Sequence, residues 1–139
     1  MEKELTKYMN ELKIKLGKYL KEDILEEYIS DIFNMIVSSN DDMSKVASTY
    51  LISKVKSGEL TFEAFNDTND FKNNYFGNEE KIILLSIIDL VCNTQESINT
   101  RIEKYCNTLN ISLLDYVTLV SEIERKSKNI KNQSLRLDK

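Results

Sequence analysis

Apolar residues recur every three or four positions along the first twenty residues of this chain, with polar and charged residues between them. This spacing places the apolar side chains on one face of an α-helix. We therefore expect a helix over residues 2–20 that buries one face. Its apolar positions are Leu5, Tyr8, Met9, Leu12, Leu16, Tyr19 and Leu20.

The same spacing continues downstream and predicts four further amphipathic helices, and the cap residue Thr61 with the staple pair Leu60 and Phe65 predicts a fifth, short helix. Asp23, Thr61 and Ser112 stand at positions suited to cap three of these helices at their N-termini. Gly58 and Asn110 stand where two of them would end. The predicted ranges are residues 23–37, 42–57, 61–65, 96–109 and 112–124.

Residues 79–92 differ from the rest because apolar residues occur on almost every side of the helix that they predict. A helix that is apolar all round has to be surrounded by other elements. We therefore expect this helix to lie at the centre of the fold. Its apolar positions are Ile82, Ile83, Leu84, Leu85, Ile87, Ile88, Leu90 and Val91.

These elements predict an all-α fold, a single compact bundle of about six or seven helices. Helix 79–92 is its central element, and a helical corner is expected at residues 109–112. The length of 139 residues corresponds to one domain. We place the domain at residues 1–125, followed by a basic tail over residues 126–139 that loses the apolar periodicity and is expected to fray.

The chain contains no histidine, so it lacks the commonest general acid–base residue and the commonest metal ligand. Nucleophile pairs and zinc sites that depend on histidine are thereby excluded within this chain. Cys92 and Cys106 have no further soft ligands beside them in the sequence, and we expect free, buried thiols. The sequence therefore predicts a protein that is not an enzyme and that has no metal site and no cofactor.

The net charge of −4 conceals a polarity along the chain. Residues 1–21 hold six lysines and three acids, residues 22–124 have a balance of −12, and residues 125–139 hold six basic residues and one acid. An acidic body repels phosphate backbones and favours a basic partner, which disfavours nucleic acid. The alternative is that most of these acids only solvate the outer faces of helices.

No apolar run approaches the roughly 20 residues that a membrane-spanning helix needs. The acidic N-terminus lacks the apolar segment of a secretory signal. We therefore expect no membrane span and a cytoplasmic location. The abundance of lysine, asparagine and isoleucine indicates an AT-rich genome, such as that of a low-GC bacterium, a phage or another virus.

Residues 66–78 are expected to form one long irregular stretch, because asparagine, aspartate and glycine favour turns. The aromatic side chains in this stretch, together with nearby acids, make a candidate surface for a basic protein partner. The alternative is that one or two of the rings fold back over the core. The candidate partner-binding residues are Asp67, Asp70, Phe71, Tyr75, Phe76, Glu79 and Glu80.

The segment from Cys106 to Ser112, followed by Tyr116, resembles the helix-turn-helix signature of small DNA-binding regulators. The resemblance implies that the helix after Ser112 would read base edges, and that the basic tail would contact phosphates. Base reading needs Arg, Lys, Asn or Gln in the first turns, whereas the first charged residue here is Asp115. We therefore favour a structural corner over DNA binding.

Within the first helix, five apolar residues alternate between four- and three-residue spacing, as in a coiled-coil seam. This face either packs inside the monomer or joins two chains as a homodimer. The residues of the seam are Leu5, Met9, Leu12, Leu16 and Tyr19.

Together these features predict a non-catalytic protein-binding module: an inhibitor, an immunity-type protein or an adaptor. It would act through an acidic helical surface and residues 66–78. This expectation rests on analogy with other small, acidic, helical proteins. One alternative is a helix-turn-helix DNA-binding regulator that uses residues 101–123, and another is a non-catalytic subunit of a larger complex.

Overall fold

The computed structural model describes the backbone of residues 2–66 and 69–137, and the side chains of residues 2–66 and 72–130. All regular structure in these ranges is helical, and a single isolated β-bridge joins Leu20 to Phe65. The predicted all-α bundle is therefore confirmed. The helices are α1 (Glu2–Gly17), α2 (Glu22–Val37), α3 (Met43–Ser57), a 3-10 helix (Phe62–Ala64), α4 (Asn69–Asn74), α5 (Asn78–Cys92), α6 (Ile98–Leu109) and α7 (Leu113–Leu137).

The apolar stripe of α1 packs inside the chain. Met9, Leu12 and Leu16 are buried, and Leu5 and Tyr19 are partly buried against the same core. The helix lies against α2 and α5, which cover this face. The stripe that was a candidate homodimer seam thus packs inside the monomer, as the first alternative in the sequence analysis stated, and is not left open to join a second chain.

Helix α5 is the central helix, as predicted. It packs against α1, α3, α6 and α7, and it buries Leu84, Leu85 and Ile88. Its burial is nevertheless incomplete, because Leu90 is exposed on the side that faces α6 and α7. Apolar as α5 is, no helix in the described part of the chain is long and apolar enough to cross a membrane.

Helix ends follow the predicted chemistry at most positions. Gly58 takes the left-handed conformation (φ 84°) after α3, and Asn110 does so (φ 55°) after α6. Thr61 accepts a hydrogen bond from the Glu63 N–H at 3.3 Å, and Ser112 accepts one from the Asp115 N–H at 3.1 Å. The predicted cap at Asp23 is wrong, since α2 begins one residue earlier and the residue in front of it is Lys21.

Two parts of the chain are more helical than the sequence predicts. The irregular stretch predicted over residues 66–78 contains α4, which packs on the 3-10 helix, where Lys72 pairs with Glu63 at 2.7 Å. Helix α7 continues past Arg125, where its predicted periodicity ends, to Leu137. No proline or glycine interrupts it, so the helix can propagate without an amphipathic pattern to guide it.

Candidate protein-binding groove

The structure describes only part of the partner-binding surface predicted from residues 66–80. Asp67 and the side chains of Asp70 and Phe71 lie outside the described residues. Phe76 is 62% exposed, as a binding residue would be. Phe76 is also the one aromatic ring of the predicted set that the structure shows exposed.

Tyr75 and Glu79 hold α7 in place. Both are buried, Tyr75 shares a hydrogen bond of 2.7 Å with Ser127, and Glu79 accepts one from Lys126 Nζ at 2.6 Å. The ammonium group also lies 5.6 Å from the centre of the Phe76 ring. These two predicted binding residues therefore belong to the packing of the bundle. For Tyr75 this agrees with the alternative that one or two of the aromatic rings fold back over the core.

Glu80 has an internal role as well. It is half-buried, and its Oε2 accepts a hydrogen bond from the backbone N–H of Phe62 at 2.9 Å. This contact ties the 3-10 helix to the first turn of α5. Among the candidate residues whose side chains the structure describes, Phe76 alone is left with an exposed side chain.

A more extensive candidate surface lies where α5, α6 and α7 meet. Asn93 takes the left-handed conformation (φ 58°) and ends α5, and Ser97 caps α6 by accepting the Thr100 N–H at 3.2 Å. The chain thereby returns along α5 and leaves a cavity of about 500 Å³. Its apolar walls are Leu90, Ile98, Ile102 and Tyr116, and its polar lining is Ser86, Asp89, Asn93, Thr94, Arg101 and Tyr105.

A second cavity, of about 330 Å³, continues along α5 and α7. It shares Ser86, Leu90 and Tyr116 with the first cavity, so the two form one depression, which we name the α5–α7 groove. The remaining lining of the second cavity is mainly apolar, namely Ile82, Ile83, Ile87, Val120, Ile123 and Glu124.

Large apolar side chains surround this groove with little cover. Leu90 is 68% exposed, Ile98 is 67% exposed, and Val117, next to Tyr116 on α7, is 52% exposed. Between residues 113 and 130, α7 has no fully buried side chain. The predicted inner stripe of the last helix is therefore only half-covered by the rest of the fold.

The floor of the first cavity carries a buried carboxylate. Asp89, in the last turn of α5, is 5% exposed and accepts a short hydrogen bond from the hydroxyl of Tyr105 on α6. The Thr94 hydroxyl lies 3.4 Å from Asp89 Oδ1. Burial raises the pKa of the Asp89 carboxyl, and the charges of Lys104 and Arg101 offset part of that rise.

The cations nearest to this floor are bound to Glu96. Lys104 Nζ lies 2.6 Å from Glu96 Oε2, and Arg101 Nε donates to the Glu96 carbonyl oxygen at 3.1 Å. Arg101 lines the cavity, and neither Arg101 nor Lys104 forms an ion pair with Asp89. The arrangement offers a concave shape, apolar surface and one buried carboxyl group, which suits binding.

The groove could have been partly anticipated from the sequence. Asp89 is the one charged residue between Ile82 and Cys92, which marks a position with a special environment. The exposure of Leu90 and Val117 could not be read from periodicity, because both residues sit on predicted apolar faces. Both side chains stay exposed although α6 packs against α5 and α7.

Comparison with known proteins adds no assignment to this geometry. No protein-family model, curated protein or solved structure matches the chain. The groove itself therefore carries the functional proposal.

Proposed function

We propose that this chain is a non-catalytic protein-binding module, of the inhibitor, immunity-type or adaptor class. It would receive an amphipathic helix of a partner protein in the α5–α7 groove. The observation that carries the proposal is the exposure of Leu90 and Ile98 in the lining of this groove, with the exposed Val117 next to its lining residue Tyr116. Contiguous apolar surface of this kind, rimmed by polar residues, is typical of protein interaction sites.

The dimensions of the groove support a helical occupant. On α5 the lining runs from Ile82 to Leu90, and on α7 it runs from Tyr116 to Glu124. Each run corresponds to a length of roughly 12 Å at 1.5 Å per residue. A helix with apolar residues at positions i, i+3 or i+4, and i+7 places its side chains over the same length.

Charge supports a partner with basic residues beside its apolar face. Glu124 lines the groove, the exposed Asp115 lies one residue from Tyr116, and residues 22–124 carry a balance of −12. Complementary charge around an apolar contact raises the association rate and orients the partner.

The surface at the start of α7 favours this proposal over the DNA-binding alternative. In a helix-turn-helix regulator, the first turns of this helix would contact bases and phosphates. Here the exposed side chains are Leu113, Leu114, Asp115, Val117 and Thr118, which include no cation and none of the Arg, Lys, Asn or Gln side chains that make bidentate contacts to bases. A role as a non-catalytic subunit of a larger complex is compatible with the same groove.

The proposal is testable with selected peptides in place of the partner. A displayed library of random peptides of about 20 residues, long enough to form a helix on binding, is selected against the intact chain. Peptides that also bind the Leu90→Glu variant are removed. We expect the remaining peptides to be amphipathic, with apolar residues at helical spacing and basic residues beside them.

The control is Val37→Glu, which changes an exposed apolar residue on α2, away from the groove. We expect Leu90→Glu to weaken the selected peptides about tenfold or more and Val37→Glu to leave their affinity unchanged. The proposal is wrong if no peptide is left after this removal step, because every peptide selected against the intact chain then also binds Leu90→Glu. It is also wrong if concentrated protein forms dimers that Leu90→Glu abolishes, because the groove would then serve a second copy of this chain.

A further inference from the structure

Asp89 is a buried carboxylate with no cation bound to it. Among the residues whose side chains the structure describes, no lysine or arginine lies within ion-pair distance of it. Charged groups that are this deeply buried in proteins are normally paired, because an isolated charge loses the hydration that stabilises it in water. Asp89 therefore either stays neutral or obtains a cation from outside the chain.

The carboxylate also has unused capacity to accept hydrogen bonds. An ionised carboxylate offers about four acceptor positions. Tyr105 occupies one on Oδ2, and Thr94 contributes a long contact of 3.4 Å to Oδ1. Asp89 lines the first cavity of the groove, so a donor that enters this cavity can reach it.

The walls of that cavity fit a long side chain with a charged end. Leu90, Ile98, Ile102 and Tyr116 line the same cavity as Asp89 and offer apolar contact there, while Arg101, also in the lining, donates to the Glu96 carbonyl oxygen. Lysine and arginine combine an aliphatic stem, which such walls can cover, with a cationic head that donates hydrogen bonds. The two cations of this chain nearest to the site are engaged with Glu96 and leave the carboxylate free to pair.

We infer that one lysine or arginine side chain of the partner helix enters this cavity and pairs with Asp89. The inference rests on the proposed function for the identity of the occupant. It adds a specificity element to the groove, because a partner helix without a basic residue at this position would leave the Asp89 carboxylate buried and unpaired.

The pairing can be tested with small probes in place of the partner. Butylammonium and butylguanidinium ions reproduce the stem and head of lysine and arginine, 1-pentanol is a neutral probe of similar size, and pentanoate is an anionic one. Each is titrated at millimolar concentration into the intact, isotope-labelled chain at pH 7, and backbone amide shifts are recorded. We expect the two cations to shift amides around Asp89, Thr94, Tyr105 and Tyr116, with the alcohol at least about fivefold weaker and pentanoate without effect.

The matched variants are Asp89→Asn and Glu103→Gln. Each removes one negative charge, but Glu103 is an exposed residue of α6 outside the cavity lining. We expect Asp89→Asn to abolish the preference for cations over the alcohol, and Glu103→Gln to preserve it. Equal binding of the cations and 1-pentanol to the unmodified chain overturns the inference, and this comparison does not depend on whether a variant folds.

Failure of this inference is distinguishable from failure of the proposed function. Selected peptides that need Leu90 but carry no basic residue aimed at Asp89 would support the groove and refute the pairing. Conversely, if the small cations bind through Asp89 while no selected peptide depends on Leu90, the result supports the cation site at Asp89 and refutes a helical partner in the groove. A double-mutant cycle between Asp89→Asn and a lysine-to-methionine change in a selected peptide measures the pairing directly.

Discussion

Asp89 is a carboxyl group buried among apolar residues, where a charged side chain is unexpected. It lies in the last turn of an apolar helix, and its neighbours are Tyr105, Thr94, Cys92, Glu96, Lys104 and Arg101. Burial disfavours its ionised form more strongly than the two cations favour that form. The free energy of unfolding should therefore depend on pH through this group.

We expect Asp89→Asn to become more stable relative to the unmodified chain as the pH rises. The pKa of Asp89 is raised in the folded state, so the folded chain holds this proton more tightly than the unfolded chain, whose aspartate pKa is about 3.9. The contribution of Asp89 to the free energy of unfolding therefore decreases as the pH rises from about 3.9 through the raised pKa of the folded state. Asparagine does not titrate, so the Asp89→Asn variant lacks this decrease. Urea unfolding of both proteins between pH 3.5 and 7 measures the difference in their free energies of unfolding. A difference that stays constant with pH would contradict the account.

The two cysteines should differ sharply in reactivity. Cys92 is fully buried, and burial raises the pKa of its thiol to about 12, while Cys106 is half-buried on α6. The thiolate is the reactive form, so Cys92 should be inert in the folded chain. At pH 8 an aromatic disulfide reagent should modify one thiol in the native protein and the second only after unfolding. Rapid modification of a folded Cys106→Ser variant would refute the burial of Cys92.

Residue roles that depend on distant contacts were beyond sequence reasoning. Tyr75 and Glu79 looked like surface residues because they stand beside a run of turn-forming residues. They are buried because α7 brings Ser127 and Lys126 to them from 52 and 47 residues away. No local pattern encodes a contact of that separation.

At the scale of elements, helix periodicity was a sound guide where it was strong. The stripe of α1 predicts its buried residues, and the predicted stop at Gly58 coincides with the end of α3. Helix α4 was missed because six residues rich in asparagine have weak helix propensity and depend on packing against the 3-10 helix. The predicted cap at Asp23 is wrong because α2 already begins at Glu22, which places Asp23 inside the first turn.

The two sides of α5 provide a matched test of its central position. We expect Ile88→Asp to unfold the protein, because a buried, unpaired carboxylate costs several kcal/mol against a total stability of roughly 5–15 kcal/mol. Leu90→Asp introduces the same group two residues away on the exposed side and should change stability by about 0.5 kcal/mol or less. Circular dichroism with thermal unfolding compares them, and a folded Ile88→Asp variant of normal stability would contradict the central role of α5.

At the scale of the whole molecule, the core and the groove occupy different sides of α5. Helices α1 and α3 cover one side, whereas α6 and α7 leave Leu90, Ile98 and Val117 exposed on the other. The sequence predicted a bundle with a central helix, but it could not show that too few elements remain to cover the last helix. That incomplete cover is the basis of the proposed binding function.

The most direct test of this account is to map the surface that a bound partner covers. A peptide selected against the intact chain is added to isotope-labelled protein, and changes in backbone amide shifts are followed to saturation. We predict that the changes concentrate in residues 82–94, 98–105 and 113–124, which form the α5–α7 groove and its rim. Changes centred instead on Phe33 and Val37 of α2, or on Phe76 and its neighbours, would contradict the assignment of the groove as the binding site.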